Sequence, residues 1–188
     1  MSHISVLLQS ALDGLNLTHG DVFVDATLGN GGHTEAAIER GHDIKIIALD
    51  QDPDAIERAK ERLAKTRNDI TYVNDNFRNL DKILDDLHVE HLSKVLFDIG
   101  MSSDQLELSG RGFSFQKDEP LLMTFGKGKE DDLTAKEIVN TWDEENIAAI
   151  LEGYGEERFA KRIAAQIALE RKTKEISTTF ELALFFFP

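Results

Sequence analysis

The feature that most constrains this fold is a glycine-rich turn between an apolar stretch and a helical pattern. The stretch Val22–Val24 leads into "DATLGNGGHTEAAIERG", residues 25–41, in which four glycines fall close together. Glycine permits backbone conformations and close approaches that other residues resist. A strand, a glycine turn and a helix in that order build the nucleotide pockets of α/β proteins. The sequence therefore predicts an α/β fold with a nucleotide-type site.

Strand and helix patterns alternate through the first half of the chain, which predicts a parallel sheet with helices on both faces. The capping residue Asp52, followed by Pro53, indicates the start of one of the helices. The predicted strands are Asp21–Asp25, Ile44–Leu49, Ile70–Val73 and Lys94–Phe97. The predicted helices are Ser2–Leu12, Gly32–Arg40, Pro53–Lys65 and Asn79–Leu87.

The second half of the chain has a different pattern. Residues 101–132 show no period and are expected to form a long loop, after which the sequence is helical only. A domain boundary is expected near Leu106, giving domains 1–105 and 106–188. Helix signals are a capping box at Thr134 and Glu137, a cap at Asp143 for a helix ending at Gly153, and helical patterns over Gly155–Lys172 and Thr178–Phe187.

Composition excludes several classes of protein. The formal net charge is −14, which argues against generic binding to nucleic acid. The chain has no cysteine, so disulfide and thiolate chemistry are excluded, and a reducing, cytoplasmic location is expected. No apolar stretch approaches the roughly 18 residues of a membrane span, so no membrane contact is expected.

The glycine turn matches a dinucleotide fingerprint imperfectly, because Gly29 and Gly31 are followed by Thr34 where the pattern has Gly or Ala. Asp50 lies 19 residues after Gly31, at the end of the second strand, where an acidic residue holds ribose hydroxyls. The two features indicate an adenosine-type cofactor. The structural alternative is a tight turn and a surface aspartate. No G-K-[ST] follows the glycines, which argues against a phosphate-binding loop of the Walker type.

Four predicted strands end in residues suited to a ligand site. Asp25, Asp50 and Asp98 end or follow three strands, and Phe77 follows the other. Ligands of open α/β sheets bind outside the carboxyl ends of the strands. Phe77 suits stacking on an adenine, and core packing is the alternative.

Six segments in order resemble the MraW/RsmH family: "HISVLL", "VDATLGNGGHTE", "ALDQDPDAI", "FDIGMSSDQL", "RGFSF" and "YGEERFAKRIA". The resemblance runs from about His3 to Leu182. It implies an S-adenosylmethionine-dependent methyltransferase that modifies the exocyclic N4 amine of a cytosine in 16S ribosomal RNA. The implied fold is a Rossmann-like class I methyltransferase sheet, with an inserted helical subdomain that recognises the substrate.

The resemblance also implies roles for individual residues. Asp98 is the expected catalytic residue, because an acceptor near the cytosine amine favours the reacting geometry. Structural alternatives are that His33 caps a helix and that Gln105 is a solvated loop residue. The implied cofactor site comprises Gly31, Gly32 and His33 at the methionine end, Asp50 at the ribose, Phe77 near the adenine, and Asp98 with Gln105.

The implied chemistry depends on positioning, because the cofactor already carries an activated methyl group. No metal is expected, since no His/Cys/carboxylate spacing indicates one. A base that leaves its stack would reach the site. Residues of "RGFSF" could line that entry, and core packing under the loop is the alternative for the two phenylalanines. The three candidates are Arg111, Phe113 and Phe115.

The expected partner is 16S ribosomal RNA in the small ribosomal subunit, although the chain is acidic. Arg158, Lys161 and Arg162 form a local basic group that could contact RNA, and a second group is Arg171, Lys172 and Lys174. Acidic neighbours interrupt both groups, so an ordinary solvated helix face is the alternative.

The chain departs from the family pattern in two places. After Pro120 the family usually reads Leu-Asp-Met-Arg-Met, whereas Leu122 and Thr124 replace the acid and the base here. The family also continues past the end of this chain, so we expect a C-terminally truncated chain with an incomplete sheet.

Two functions of other classes remain open. A nicotinamide-dependent oxidoreductase would use the same glycine turn and Asp50, and would bind NADH. A catalytically impaired fragment of the methyltransferase would transfer methyl groups poorly, and a non-catalytic module of the same fold would transfer none even with substrate present.

Overall fold

The computed structural model describes residues 7–40, 43–66, 69–126 and 132–186, with the side chain of Asp104 excepted. The chain divides into two units, Met1–Gly100 and Met101–Pro188. Within the described ranges, no helix is long and apolar enough to cross a bilayer.

The first unit is a four-stranded parallel sheet in the order β3-β2-β1-β4. Its strands are β1 Val22–Asp25, β2 Lys45–Asp50, β3 Ile70–Asn74 and β4 Lys94–Leu96. Its helices are α1 Leu8–Leu15, α2 Gly32–Glu39, α3 Pro53–Leu63 and α4 Leu80–Asp86, with a 3₁₀ turn at Phe77–Asn79. The predicted Rossmann-like α/β architecture is confirmed, and all four strands lie within two residues of their predicted ends.

The two central strands, β1 and β2, are apolar because both faces of the sheet are covered. Successive side chains of a strand point to opposite faces. Phe23 and Ile46 pack with α1 and α2 on one face. Val24 and Ile47 pack with α4 on the other. The sheet order brings the ends of β1, β2 and β4 to one edge.

The helix ends follow local chemistry. Asp52 caps α3 by accepting a hydrogen bond from the backbone N–H of Asp54 at 3.1 Å, as predicted. Helix α1 ends at Leu15, three residues later than predicted. Asn16 ends it in a left-handed conformation, φ 45°. The first part of the predicted Ser2–Leu12 helix lies outside the described residues.

The second unit packs helices around an apolar cluster that includes Leu121, Ile147 and Ile167. Its helices are α5 Ser103–Glu107, α6 Ala135–Thr141, α7 Glu144–Gly153, α8 Ala160–Glu170 and α9 Thr179–Ala183. The expectation of an unstructured loop over residues 101–132 is wrong at α5. The described part of that loop also makes a β-bridge, between Pro120 and Thr178.

Caps in the second unit agree in part with the predictions. The hydroxyl of Thr134 accepts from the N–H of Glu137 at 3.1 Å, which is half of a capping box. Asp143 precedes α7, but its side chain makes no capping bond. Helix α8 begins later than predicted because Glu156 adopts a left-handed conformation, φ 50°. A full capping box at Thr178 and Glu181 starts α9.

Candidate cofactor and active site

The glycine turn runs from β1 into α2 through two left-handed residues. Gly29 has φ 52° and Gly31 has φ 77°, a region that favours glycine. A Cβ on Gly31 would lie 3.2 Å from Cδ1 of Leu63 and 3.3 Å from Cβ of Ala59, both in α3. Gly31 therefore serves both the shape of the turn and the packing of α3 behind it.

Asp50, the last residue of β2, ties the turn to the sheet. Its Oδ2 accepts from the N–H of Gly29 at 2.8 Å, and its Oδ1 accepts from the N–H of Asp52 at 2.9 Å. Burial raises the pKa of this carboxyl, and the two backbone hydrogen bonds oppose that rise. Each carboxylate oxygen has a second lone pair, so the group can accept further hydrogen bonds.

Asp25, the last residue of β1, is fully buried and anchors both ends of the turn. Its Oδ2 accepts from the hydroxyl of Thr34 at 2.7 Å, and its Oδ1 accepts from the N–H of Thr27 at 3.3 Å. The hydroxyl of Thr27 in turn accepts from the N–H of Asp98 at 2.7 Å. Burial raises the pKa of Asp25 to about 6, although the bond from Thr34 lowers it. The network links the end of β1 to α2 and to the residues after β4.

His33 and Asp98 meet at the same edge. Nε2 of His33 lies 3.4 Å from Oδ2 of Asp98, which is ion-pair range. The His33 side chain is only 7% exposed, whereas that of Asp98 is 51% exposed. Within the described part of the chain, neither ring nitrogen of His33 has a partner with hydrogen-bond geometry. An orphaned polar group in such a position is costly unless something else satisfies it.

Phe77 lies beside this edge and is not part of a buried core. Phe77 is 38% exposed, and its ring contacts that of Phe97 edge to face, with 5.5 Å between centroids. The two exposed rings form an apolar surface after the ends of β3 and β4.

Most of the residues proposed for the cofactor site lie in the first unit, but Gln105 belongs to α5 of the second. Its side-chain oxygen accepts from the N–H of Ser102 at 2.9 Å. Its backbone N–H donates to the Ser102 hydroxyl at 3.1 Å. Gln105 is therefore an ordered helix residue rather than the solvated loop residue of the alternative.

Of the "RGFSF" residues, Arg111 is buried and Phe115 is exposed. The guanidinium of Arg111 donates to the carbonyls of Thr124, Phe125 and Gly126. This arginine therefore holds a backbone turn. Phe115 is 65% exposed.

Sequence reasoning missed two threonines of this network, Thr27 and Thr34. Each is a small polar residue beside the glycine turn: Thr27 lies between Ala26 and Leu28, and Thr34 lies between His33 and Glu35. Their hydroxyls pair with groups that only the sheet brings near. Across the described ranges, no cluster of three or more His, Asp or Glu side chains could hold a metal ion.

Comparison with known proteins decides the family. A family model described as the MraW methylase family matches residues 1–186. The chain belongs to the MraW methylase family. The match covers residues of both units.

Individual relatives of this family carry the name ribosomal RNA small subunit methyltransferase H. The proteins from Clostridium botulinum and Brevibacillus brevis are each 44% identical to this chain over 181 residues, 96% of it. The chain spans only 58% and 57% of their lengths, respectively. An rRNA methylase structure from Streptococcus thermophilus aligns at 25% identity with a TM-score of 0.43, covering 53% of this chain and 58% of that one.

Proposed function

We propose that this chain is part of an S-adenosylmethionine-dependent methyltransferase that modifies the N4 amine of a cytosine in 16S ribosomal RNA. Family membership and the names of its relatives support the reaction class. The observation that carries the cofactor assignment is the tie between Gly29 and Asp50 across the glycine turn. In this proposal residues 1–105 bind the cofactor, and residues 106–188 recognise the substrate.

The residues present fit the cofactor. Asp50 keeps free acceptor positions for both ribose hydroxyls, and hydrogen bonds to a carboxylate are among the strong ones. The orphaned nitrogens of His33 suit the polar methionine end, beside Gly31 and Gly32. The exposed ring of Phe77 suits the adenine. The family resemblance adds Gln105 to this set.

The charge at this edge suits a cation. Asp25, Asp50 and Asp98 all lie at the carboxyl ends of strands, and Asp25 is fully buried. When bound, S-adenosylmethionine supplies a methyl group activated by a positively charged sulfonium. The carboxylates would stabilise that positive charge, because electrostatic interactions are stronger in a partly buried site than in water.

Asp98 is proposed to orient the cytosine amine. Its backbone is held by the hydroxyl of Thr27, while its carboxylate remains half exposed and beside His33. A carboxylate there accepts an N–H of the amine and directs the nitrogen lone pair. That interaction forms with the reacting geometry, so it acts on the rate more than on cofactor binding.

Calorimetry with S-adenosylhomocysteine, S-adenosylmethionine and NADH tests the cofactor assignment. We expect heat from the two adenosyl compounds and none from NADH. Binding of NADH alone would favour the oxidoreductase and overturn the proposal.

Methyl transfer is tested separately, with labelled S-adenosylmethionine and small-subunit particles that lack the modification. Digestion to nucleosides and mass spectrometry would identify the methylated atom, and we expect N4-methylcytidine. Cofactor binding without any methylated nucleoside would favour the non-catalytic module.

A further inference from the structure

The start of α8 carries a group of exposed cations arranged around one aromatic ring. Cζ of Arg158 lies 5.3 Å and Cζ of Arg162 4.7 Å from the centroid of Phe159. Both arginines and Lys161 are exposed, and Phe159 is 48% exposed. Stacking on the ring restricts each guanidinium but leaves its N–H donors available.

Three other cations of the second unit are already engaged, two by carboxylates and one by backbone carbonyls. Lys136 pairs with Glu175 at 2.9 Å, and Lys174 pairs with Glu181. Arg171 donates to the backbone carbonyls of Val139 and Trp142. Among the described residues, by contrast, no carboxylate lies within ion-pair range of Arg158, Lys161 or Arg162.

Two acidic neighbours of this group are engaged elsewhere. Glu157 accepts the N–H of Phe159 at 2.8 Å, which supports the start of the helix. Glu170 accepts from the side chain of Gln166 at 2.9 Å. Neither of these carboxylates forms a direct ion pair with Arg158 or Arg162 in the part of the chain that the structure describes.

We propose that Arg158, Phe159, Lys161 and Arg162 form a contact surface for the RNA substrate. The arginines bind backbone phosphates, for which their planar N–H fork is well matched. Phe159 orients them, and its exposed part offers a stacking surface for an unpaired base. The chain carries a net charge of −14, so most of it repels the RNA backbone electrostatically. A cationic surface therefore directs RNA to one place on the protein. This inference rests on the proposed RNA substrate.

The test compares two double variants of the full chain with the same change in charge. One is Arg158→Gln with Arg162→Gln, and the control is Lys136→Gln with Lys174→Gln. Each is titrated with a fluorescent single-stranded RNA at several salt concentrations. We expect the arginine variant to bind roughly tenfold more weakly or worse, and its salt slope to fall by about 0.7 for each phosphate that it no longer binds. The lysine control should retain the parent affinity to within about threefold, since its side chains are already paired.

The role of the ring is tested with Phe159→Ala and Phe159→Trp. We expect alanine to weaken RNA binding and tryptophan to retain it, because a larger ring still holds the guanidiniums. Circular dichroism melting checks that both variants fold. If alanine is neutral while the arginine variant still binds more weakly, the ring has no part in the surface and that element of the proposal is overturned.

Several results would overturn the surface as a whole. If the two double variants lost the same amount of RNA affinity, the loss would be due to the change in net charge and not to a specific surface. The proposal would also be overturned if the parent protein did not bind RNA. It would be overturned as well if the parent bound phosphatidylserine vesicles more strongly than RNA and that binding depended on the arginines.

Calorimetry with S-adenosylhomocysteine separates this inference from the proposed function. Arginine-dependent RNA binding without any cofactor heat would support the surface and contradict the methyltransferase.

Discussion

The hydroxyl of Thr34 donates a hydrogen bond of 2.7 Å to Oδ2 of Asp25, and both side chains are buried. The bond joins the first turn of α2 to the last residue of β1. The glycine turn between them is thereby closed at its base, while Asp50 holds it from the neighbouring strand.

Thr34→Val should destabilise the protein by about 1–3 kcal/mol, because it leaves a buried carboxylate oxygen without its donor while keeping the side-chain shape. Thr34→Ser keeps the hydroxyl and is the control. Urea unfolding followed by circular dichroism measures both. Equal stabilities of the valine and serine variants would show that the hydrogen bond contributes little.

Asp25 should make stability depend on pH. Burial raises its pKa to about 6 from an ordinary 3.8, so the folded state holds the proton more tightly than the unfolded state. Stability from this group is therefore full below about pH 4 and falls as pH rises through about 6. The interaction with His33 lowers the pKa of Asp25, and the interaction with Asp50 raises it.

Asp25→Asn buries no charge, so its stability should not decrease with rising pH in the way that the contribution of Asp25 does. Its unfolding free energy, relative to the parent, should rise by about 2–3 kcal/mol between about pH 4 and about pH 7, because the pKa of Asp25 in the parent is raised from 3.8 to about 6. Subtracting the parent curve cancels the other carboxylates. Parallel curves would mean that Asp25 does not titrate in this range.

Asp50→Asn should weaken binding of S-adenosylhomocysteine by about 1.5–3 kcal/mol, since charge-assisted bonds to the ribose are lost. The exposed Asp86→Asn at the end of α4 matches the change in charge and should leave affinity unchanged. Calorimetry measures both. Stability must be measured in parallel, because Asp50 also accepts from the N–H groups of Gly29 and Asp52. Parent-like affinity in a folded Asp50→Asn protein would remove Asp50 from the site.

Gly31→Ala should lower stability by about 1–2 kcal/mol as well as affinity for the cofactor. The left-handed backbone, φ 77°, strains any side chain, and the new methyl group presses on Leu63 and Ala59. Gly14→Ala is the control: it lies within α1 with nothing near its Cβ, and it should stabilise by about 0.5–1 kcal/mol. Thermal melting compares them, and a Gly31→Ala protein as stable as the parent would contradict the packing argument.

Asp98→Asn should reduce methyl transfer at least tenfold more than it weakens cofactor binding, because the carboxylate is proposed to act on the amine during reaction. Single-turnover rates and calorimetric affinities supply the two quantities. Equal decreases in both would make Asp98 a cofactor ligand only. If the single-turnover rate of Asp98→Asn equalled that of the parent, Asp98 would have no role in methyl transfer.

The local pattern of the chain was sufficient to predict the four strands and their parallel arrangement, but not their order in the sheet. Strand and helix signals depend on residues close in sequence, so β1 to β4 and the cap at Asp52 follow from spacing alone. The short helix α5 was missed because five residues carry too little periodicity. The late start of α8 was missed because it depends on the conformation of one residue, Glu156.

The sequence by itself determined which residues end the strands, and hence that Asp25, Asp50 and Asp98 gather at one edge. Only the tertiary structure decided what each of them does there. Asp25 is buried against Thr34, Asp50 is bound to the turn, and Asp98 is half exposed beside His33. The Thr27–Asp98 bond joins residues 71 positions apart, a pairing that exists only because β4 lies next to β1. The burial and the hydrogen-bond partners of these aspartates depend on which strands are adjacent in the sheet, and no local sequence pattern encodes that adjacency.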